Sequence, residues 1–303
     1  MPKQSAESKP QKQTSFLAPM PLLKIDVDAL KIWGETWKGS ENSSPSDDIK
    51  KSKSDDRFAI FNAAQKIRKK SRTTSPDAEP KKKKSVASFN KQQGMRFGLI
   101  FDEAFSLALS DMLGEIPLVP PVNNSLLPPP LYPNSVELGK TRIVGGIRPQ
   151  NYDAAYRPDG PRIVYDSKTL NDAESIRKNW QNMVNDLATE ASTVHTRFPY
   201  CIVAFIVVLP EPALHDPQKM AIIRTLERLG SRDNELDQHH LAESIALCVW
   251  NPDTGQINPN IPLPTSSLRI ENMPKRIYES YLDRYRNLPP HEAEDAVVSG
   301  EDE

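Results

Sequence analysis

Apolar residues recur at steps of three and four positions in several parts of the chain, the spacing at which side chains share one face of a helix. From Phe97 through Phe105 to Met112 this spacing is regular, and it ends at Gly114, a residue type that commonly follows a helix. The pattern predicts four helices in the main part of the chain, at residues 95–114, 171–196, 216–230 and 274–286.

Other segments have the patterns of strands. Residues 200–210 and 243–251 are almost continuously apolar and rich in β-branched side chains, which predicts strands buried on both faces. Three shorter strands are predicted at residues 139–149, 153–160 and 161–170. A turn at Asp159-Gly160 joins the last two of them. The order of helix, three strands, helix, strand, helix, strand predicts an α/β fold with a mixed central sheet flanked by helices on both faces.

The charge balance separates the first third of the chain from the remainder. Residues 1–97 carry 21 Lys and Arg against 11 Asp and Glu, whereas residues 98–303 carry 18 against 29. The first third is also rich in Ser, Gln, Asn and Pro, a composition that buries too little apolar surface to fold as a unit. We therefore predict a largely flexible, basic N-terminal extension.

Domain boundaries follow from the same changes of pattern. Residues 1–94 form the predicted extension, in which only residues 21–37 and 54–70 have the apolar spacing of ordered segments. Residues 95–288 form the predicted folded domain, and residues 289–303 an acidic, disordered tail. Within the domain, the proline-rich segment 115–135 is predicted to be an extended loop, because proline interrupts both helices and interior strands.

Composition limits the cellular setting. The sequence has no stretch near the roughly 18 apolar residues that a membrane helix needs, and its first residues lack the apolar core of a signal peptide. Cys201 and Cys248 each lie inside an apolar run, which favours buried thiols in a reducing compartment over a disulfide. These features predict a soluble cytoplasmic protein with no membrane partner.

Candidate chemistry lies in the segment RPDGPRIVYDSKTL, residues 157–170. Alternation along a strand directs Asp166 and Lys168 to the same side, and we expect the hairpin to bring Asp159 back beside Asp166. Adjacent carboxylates repel unless a proton or a cation lies between them, and Mg²⁺ accepts one or two carboxylates while keeping sites for water and phosphate. A lysine would then offset charge on a reacting phosphate. The alternative interpretation is a solvated, charged end of a hairpin.

The motif also resembles that of a known family. Pro158-Asp159 and Asp166-Ser167-Lys168 resemble the signature of the PD-(D/E)XK nuclease superfamily, and residues 95–250 resemble its αβββαβ core, the restriction-endonuclease-like fold. The resemblance implies that Asp159 and Asp166 bind Mg²⁺, that Ser167 contributes its backbone carbonyl, and that Lys168 is the catalytic lysine. It also implies a glutamate on the first helix, and Glu103 stands at the matching position.

Within that superfamily, a chain with its own N-terminal extension and proline-rich insertion most resembles a type II restriction endonuclease. The expected activity is Mg²⁺-dependent hydrolysis of double-stranded DNA at a specific site by a homodimer. A junction-resolving or repair nuclease on the same core, and a non-catalytic DNA-binding protein, are the alternatives. The four lysines Lys81–Lys84 are predicted to contact DNA phosphates, with a nuclear-import signal as the alternative.

Overall fold

The computed structural model describes residues 16–39 and 87–291, and all structural statements below concern these residues. Five helices and six strands follow the predicted order, with a helix added before the domain. The helices are α1 (Val27–Trp37), α2 (Lys91–Met112), α3 (Ala173–His195), α4 (Gln218–Leu229) and α5 (Met273–Tyr285). The strands are β1 (Leu118–Val119), β2 (Val136–Val144), β3 (Pro149–Tyr156), β4 (Ile163–Thr169), β5 (Ile202–Pro210) and β6 (Ser244–Trp250).

The six strands form one mixed sheet in the order β1-β2-β3-β4-β5-β6. Strand β3 runs antiparallel to both of its neighbours, β2 and β4, whereas β5 and β6 are parallel to β4. Helices α3 and α4 provide the crossovers that parallel neighbours require. Every residue of β5 and β6 is buried, as their uninterrupted apolar sequences predict. The structure therefore confirms the predicted α/β fold with a mixed sheet between helices.

Each face of the sheet has its own apolar core. Helices α1, α2 and α5 cover one face, and helices α3 and α4 cover the other. In β4 the alternation is regular, because Ile163 and Tyr165 belong to the first core and Val164 belongs to the second. Phe105 of α2 stacks on Tyr165, with ring centroids 4.0 Å apart. Successive positions beyond Tyr165 are consequently directed alternately towards α3 and towards α2.

Helix α1 belongs to the predicted extension, yet it packs on the domain. Trp33 and Trp37 are buried in the first core, and Gly34 approaches Pro252 so closely that a Cβ at this position would lie 1.7 Å from the Pro252 carbonyl oxygen. The Ser88 amide donates to the Trp37 carbonyl oxygen over 3.0 Å, so the chain leaves this corner after α1 and returns to it before α2. The predicted ordered segment 21–37 is thus confirmed, at α1.

Other predictions for the ends of the chain have mixed outcomes. The predicted helix at residues 54–70 and the lysines Lys81–Lys84 lie outside the described residues. The proline-rich loop is mostly irregular, but it contains the short strand β1. At the start of the predicted tail, His291 Nε2 is hydrogen-bonded to the Tyr281 hydroxyl over 2.6 Å. The first residues of the tail therefore contact the domain. None of the described helices is long and apolar enough to cross a membrane.

One buried ionic network lies where β5 and β6 begin. The Glu243 carboxylate accepts hydrogen bonds from Arg232 (2.5 Å), Arg284 (2.8 Å) and the Val203 amide (2.8 Å), and His195 Nε2 lies 3.3 Å from it. Although burial acts to raise the pKa of Glu243, the hydrogen bond and charge of His195 and the charges of the two arginines lower it to about 2. We call these four side chains, Glu243, Arg232, Arg284 and His195, the Glu243 network.

Candidate active site

The hairpin of β3 and β4 opens at the end away from its turn. Paired residues run from Tyr156–Ile163 to Ala154–Tyr165. One step further, the Asp153 carboxylate replaces the backbone of β3, because it accepts hydrogen bonds from the amide (3.2 Å) and the hydroxyl (3.3 Å) of Ser167. On its other side β4 stays paired with β5 as far as Thr169. Beyond Tyr165, β4 is therefore paired with a strand on its β5 side, and on its β3 side it is contacted by side chains.

Asp166 and Lys168 lie in this opening, on the side of the sheet that faces α3. Lys168 Nζ contacts Asp166 Oδ2, and it lies 2.8 Å from Glu190 Oε1 of α3. Asp166 and Glu190 are each only 6% exposed. Glu190 is itself held, since Gln150 Nε2 donates to its carboxylate over 3.0 Å and the Tyr152 hydroxyl donates to its backbone carbonyl over 2.8 Å. The prediction that Asp166 and Lys168 share one side of the strand is confirmed.

Asp159 lies at the opposite end of the same hairpin. Its carboxylate makes a two-point contact with Arg162 (Nε to Oδ1 2.9 Å, Nη2 to Oδ2 2.6 Å), and 61% of its side chain is exposed. Asp166 stands three residues beyond the first pair of β4, about 10 Å along the strand from the turn. The structure thus does not bring Asp159 to Asp166, and Asp153 is the carboxylate that lies there.

Helix α2 contributes a further acid. Asp102 is 4% exposed and its Oδ1 has no hydrogen-bond partner among the described residues. Glu103, the acid expected from the sequence, is partly exposed on the same helix and adds negative charge beside Asp102. Gly98, one turn before Asp102, lets α2 approach β4, since a Cβ there would lie 3.3 Å from Ser167 Oγ. The buried acid of this helix is therefore Asp102, one position before the expected residue.

Burial and mutual repulsion raise the pKa values of these carboxyl groups. Burial and the charge of Asp166 raise the pKa of Asp153 to about 8, and burial raises that of Asp166 to about 6 against the opposing effect of Lys168. Burial and the charge of Asp153 raise the pKa of Asp102 well above its usual range, although the Ser167 and Tyr165 hydroxyls oppose the shift. Burial acts to lower the pKa of Lys168, but the Asp166 and Glu190 carboxylates outweigh it and raise that pKa.

We call this group the acidic cluster, which consists of Asp102, Asp153, Asp166, Glu190 and Lys168. The cluster has four carboxyl groups and one ammonium group, which contacts Asp166 and Glu190 directly. Two of its buried oxygen atoms, Asp102 Oδ1 and Glu190 Oε2, have no hydrogen-bond partner within residues 16–39 and 87–291. Such an excess of buried acid is stable only if protons or cations compensate it. The cluster therefore has the electrostatics of a cation site.

Two carboxylates of the cluster, Asp153 and Asp166, could take part in holding a Mg²⁺ ion. In the part of the chain that the structure describes, no group of three or more His, Cys, Asp and Glu side chains has a geometry that could hold a metal ion. Mg²⁺ commonly takes one or two carboxylates and completes its shell with water and substrate oxygens. Asp153 and Asp166 are two such carboxylates, which are contacted by the Ser167 amide and by Lys168 Nζ respectively.

Sequence reasoning missed Asp153, Glu190 and Asp102 for different reasons. Residues that pair in a hairpin stand at equal distances from the centre of the turn, and counting from the centre between Asp159 and Gly160 places Asp153 opposite Asp166. The distance from the turn therefore indicates Asp153 as the residue opposite Asp166. Glu190 is 22 residues beyond Lys168 on a helix, and no local pattern indicates which of its polar residues reaches β4.

Comparisons with known proteins add no further assignment. No protein-family model, curated protein or solved structure matched the chain. The function must therefore be argued from the geometry of the acidic cluster alone.

Proposed function

We propose that this protein is a Mg²⁺-dependent endonuclease that hydrolyses phosphodiester bonds of double-stranded DNA. The observation that carries the proposal is the opening of the β3–β4 hairpin, in which Asp153 faces Asp166-Ser167-Lys168 at the end of β4. This set resembles the acid, acid and lysine set of the PD-(D/E)XK superfamily, with Asp153, which follows a tyrosine and not a proline, in place of the expected Asp159. The order of elements around it agrees with the αβββαβ core.

Each side chain has a definite task in this proposal. Asp153 and Asp166 would hold Mg²⁺ together with the Ser167 carbonyl, and the bound ion would lower the pKa of a coordinated water and draw charge from the phosphate. Lys168 keeps its proton, because the neighbouring carboxylates raise its pKa. It therefore acts as a fixed positive charge beside the reacting phosphate and not as a general base.

Glu190 fixes the position of that charge. Its Oε1 lies 2.8 Å from Lys168 Nζ, and Gln150 and Tyr152 hold Glu190 in place. In the reaction, the oxygen of a water molecule bonds to phosphorus and that water gives a proton to solvent. The bond from phosphorus to the bridging sugar oxygen breaks, and this oxygen takes a proton from solvent to leave as a hydroxyl group. A lysine restrained from two sides needs little reorganisation as negative charge develops on the phosphate.

The choice of DNA and of a type II restriction endonuclease within the superfamily rests on resemblance. It carries the expectation of a homodimer in which each copy cuts one strand of a two-fold symmetric site. The test is incubation of the purified protein with phage DNA in Mg²⁺ or in EDTA. Discrete fragments in Mg²⁺ only are the expected result. A smear or a preference for branched DNA would indicate a different nuclease, and binding without cleavage would contradict the proposal.

Two substitutions test which aspartate belongs to the site. We expect Asp153→Asn to reduce the cleavage rate by at least about a hundredfold, because a neutral amide is a poor ligand for Mg²⁺. Asp159→Asn is the matched control in the same hairpin, and it should cleave within a few-fold of the wild-type rate. The measurement is the rate of plasmid nicking at saturating Mg²⁺. Loss of activity in Asp159→Asn with full activity in Asp153→Asn would reverse our assignment.

A further inference from the structure

A groove lies between the first turns of α3 and α4, beyond the carboxyl ends of β4 and β5. Lys168 lies near this end of β4. Helix α3 begins four residues after β4, and α4 begins eight residues after β5, so both helices start beyond the carboxyl ends of parallel strands. The groove has a volume of about 790 Å³. Its lining residues are Ala173, Glu174, Arg177, Trp180, His215, Asp216, Pro217, Gln218 and Ala221.

The wall of the groove presents an aromatic ring. Trp180 packs on the core between the sheet and helices α3 and α4, yet it remains partly exposed where it lines the groove. The other three tryptophans of the chain, Trp33, Trp37 and Trp250, are buried. Ala173, Pro217 and Ala221 add further apolar surface beside the polar residues of the lining. A flat, partly apolar ligand that can stack on an indole fits such a surface.

The groove has one arginine, Arg177, whose charge acts on the neighbouring Glu174. Both acids of the lining have a lysine partner, since Glu174 is paired with Lys178 over 2.5 Å and Asp216 with Lys219 over 2.8 Å. Arg177 has no ion pair or side-chain hydrogen bond with any residue of the described ranges. A ligand that combines a flat ring with a negative charge therefore complements the groove, and a nucleotide has both properties.

Helix α3 connects the groove with the acidic cluster, because it contributes a residue to each. Trp180 and Glu190 are ten residues apart on this helix, about 15 Å along its axis. That span corresponds to roughly four steps of duplex DNA at 3.4 Å per step along one strand. A strand bound at Lys168 can therefore extend to Trp180.

We propose that this groove holds an unstacked nucleotide of the substrate strand, with its base on Trp180 and its phosphate near Arg177. The proposal rests on the nuclease function for the identity of the strand. It adds a binding position outside the acidic cluster, and it predicts that the enzyme prefers DNA in which a base near the cut can leave the helix, because unpairing a base costs free energy.

The test is fluorescence titration in EDTA, where Mg²⁺-dependent cleavage cannot occur. Because Trp180 is the partly exposed indole, a short thymidine oligonucleotide should quench its emission. Trp180→Ala should weaken binding by roughly tenfold or more, the effect expected for one stacked base, whereas Trp180→Phe should retain most of the affinity. Tyr200→Ala, at an exposed aromatic residue (52%) beside the amino end of β5, is the matched control and should bind as wild type.

Arg177→Gln gives a second readout. Loss of one phosphate contact should make the log–log dependence of affinity on salt shallower by about 0.7, the value for a contact to a single strand. Unchanged affinity in Trp180→Ala would overturn the proposal, as would equal binding of an abasic oligonucleotide. Equally tight binding of thymidine monophosphate would indicate a site for free nucleotides and would also overturn it. Cleavage in Mg²⁺ is measured separately, so failure of the groove and failure of the nuclease function remain distinguishable.

Discussion

The acidic cluster and the Glu243 network are both buried groups of charges, one beside β4 and the other before β6, and they have opposite electrostatics. In the Glu243 network two arginines and a histidine surround one carboxylate, and the pKa of Glu243 falls to about 2. In the acidic cluster there are four carboxyl groups and one lysine, which contacts two of them, and the pKa of Asp153 rises to about 8. The Glu243 carboxylate is saturated by protein donors, whereas the carboxyl groups of the cluster are not. In the network the atoms without a partner among the described residues are donors, Arg232 Nε and Arg284 Nη2.

This difference separates a structural role from a functional one. A buried carboxylate whose lone pairs are all used by arginines and amides has no capacity left for a ligand, and it fixes the loop before β6. The cluster instead keeps buried oxygens without partners, at a cost that an added cation would relieve. Burial of an acid alone therefore does not indicate a site. The balance of charge around the acid does.

The largest effect should follow from breaking the Glu243 network. Glu243→Gln leaves the buried guanidinium groups of Arg232 and Arg284 without their counter-charge, and we expect a loss of about 3–5 kcal/mol in the free energy of unfolding. Urea unfolding measures this loss. Glu279→Gln is the control, since Glu279 forms an exposed pair with Lys275 and should contribute close to nothing. A loss below about 1 kcal/mol for Glu243→Gln would contradict the structural role of the network.

An intermediate effect is expected in the acidic cluster, and it should depend on pH. The folded-state pKa of Asp153 is raised to about 8 and that of Asp166 to about 6, above their unfolded values, so the folded protein binds more protons. The metal-free protein should therefore lose stability as the pH rises from about 4 to about 8. Asp153→Asn removes part of this loss, and we expect it to be more stable than wild type by on the order of 2 kcal/mol at the upper end of that range.

The measurement for this prediction is urea unfolding in EDTA across the same pH range. The two proteins should converge at low pH, where the wild-type carboxyl groups are protonated in both states. Added Mg²⁺ should stabilise the wild type and not Asp153→Asn, because ligands that bind only the folded state raise its stability. Parallel pH profiles for the two proteins would show that Asp153 does not carry the excess charge.

The smallest effect should come from Asp159, whose ion pair joins an exposed carboxylate to a buried arginine. Arg162 is buried and Asp159 is 61% exposed, and Arg162 also donates to the Tyr281 hydroxyl and the Pro289 carbonyl. We expect Asp159→Asn to cost about 1 kcal/mol or less, since exposed partners contribute little and the other acceptors remain. Thermal unfolding of the two proteins checks this value. A loss as large as that of Glu243→Gln would place Asp159 among the structural charges.

The sequence was sufficient to predict the elements of the domain but only part of the site. Uninterrupted apolar runs identified β5 and β6, and the Asp159-Gly160 turn identified the hairpin. Asp166 and Lys168 were correctly placed on one side because that relation depends only on alternation within a strand. The partner of Asp166 depends on the register of the hairpin. The resemblance of Pro158-Asp159 to a motif indicates Asp159, whereas counting from the turn indicates Asp153.

The remaining site residues depend on tertiary packing. Asp102 and Glu103 are neighbours on α2, and only the angle at which the helix lies on β4, made possible by Gly98, decides which of them is buried. Glu190 reaches Lys168 because α3 crosses back over the sheet between two parallel strands. Helical periodicity indicates one apolar face, but it does not indicate which polar residue at the border of that face meets another element.

The hydrogen bond between the Ser88 amide and the Trp37 carbonyl oxygen joins the end of α1 to the segment that precedes α2. Trp37 also donates from Nε1 to the carbonyl oxygen of Asn171, two residues before α3 begins. Helices α2 and α3 lie on opposite faces of the sheet. The last residue of α1 therefore links the starts of two helices that belong to different cores, and it acts as a clasp between the two layers.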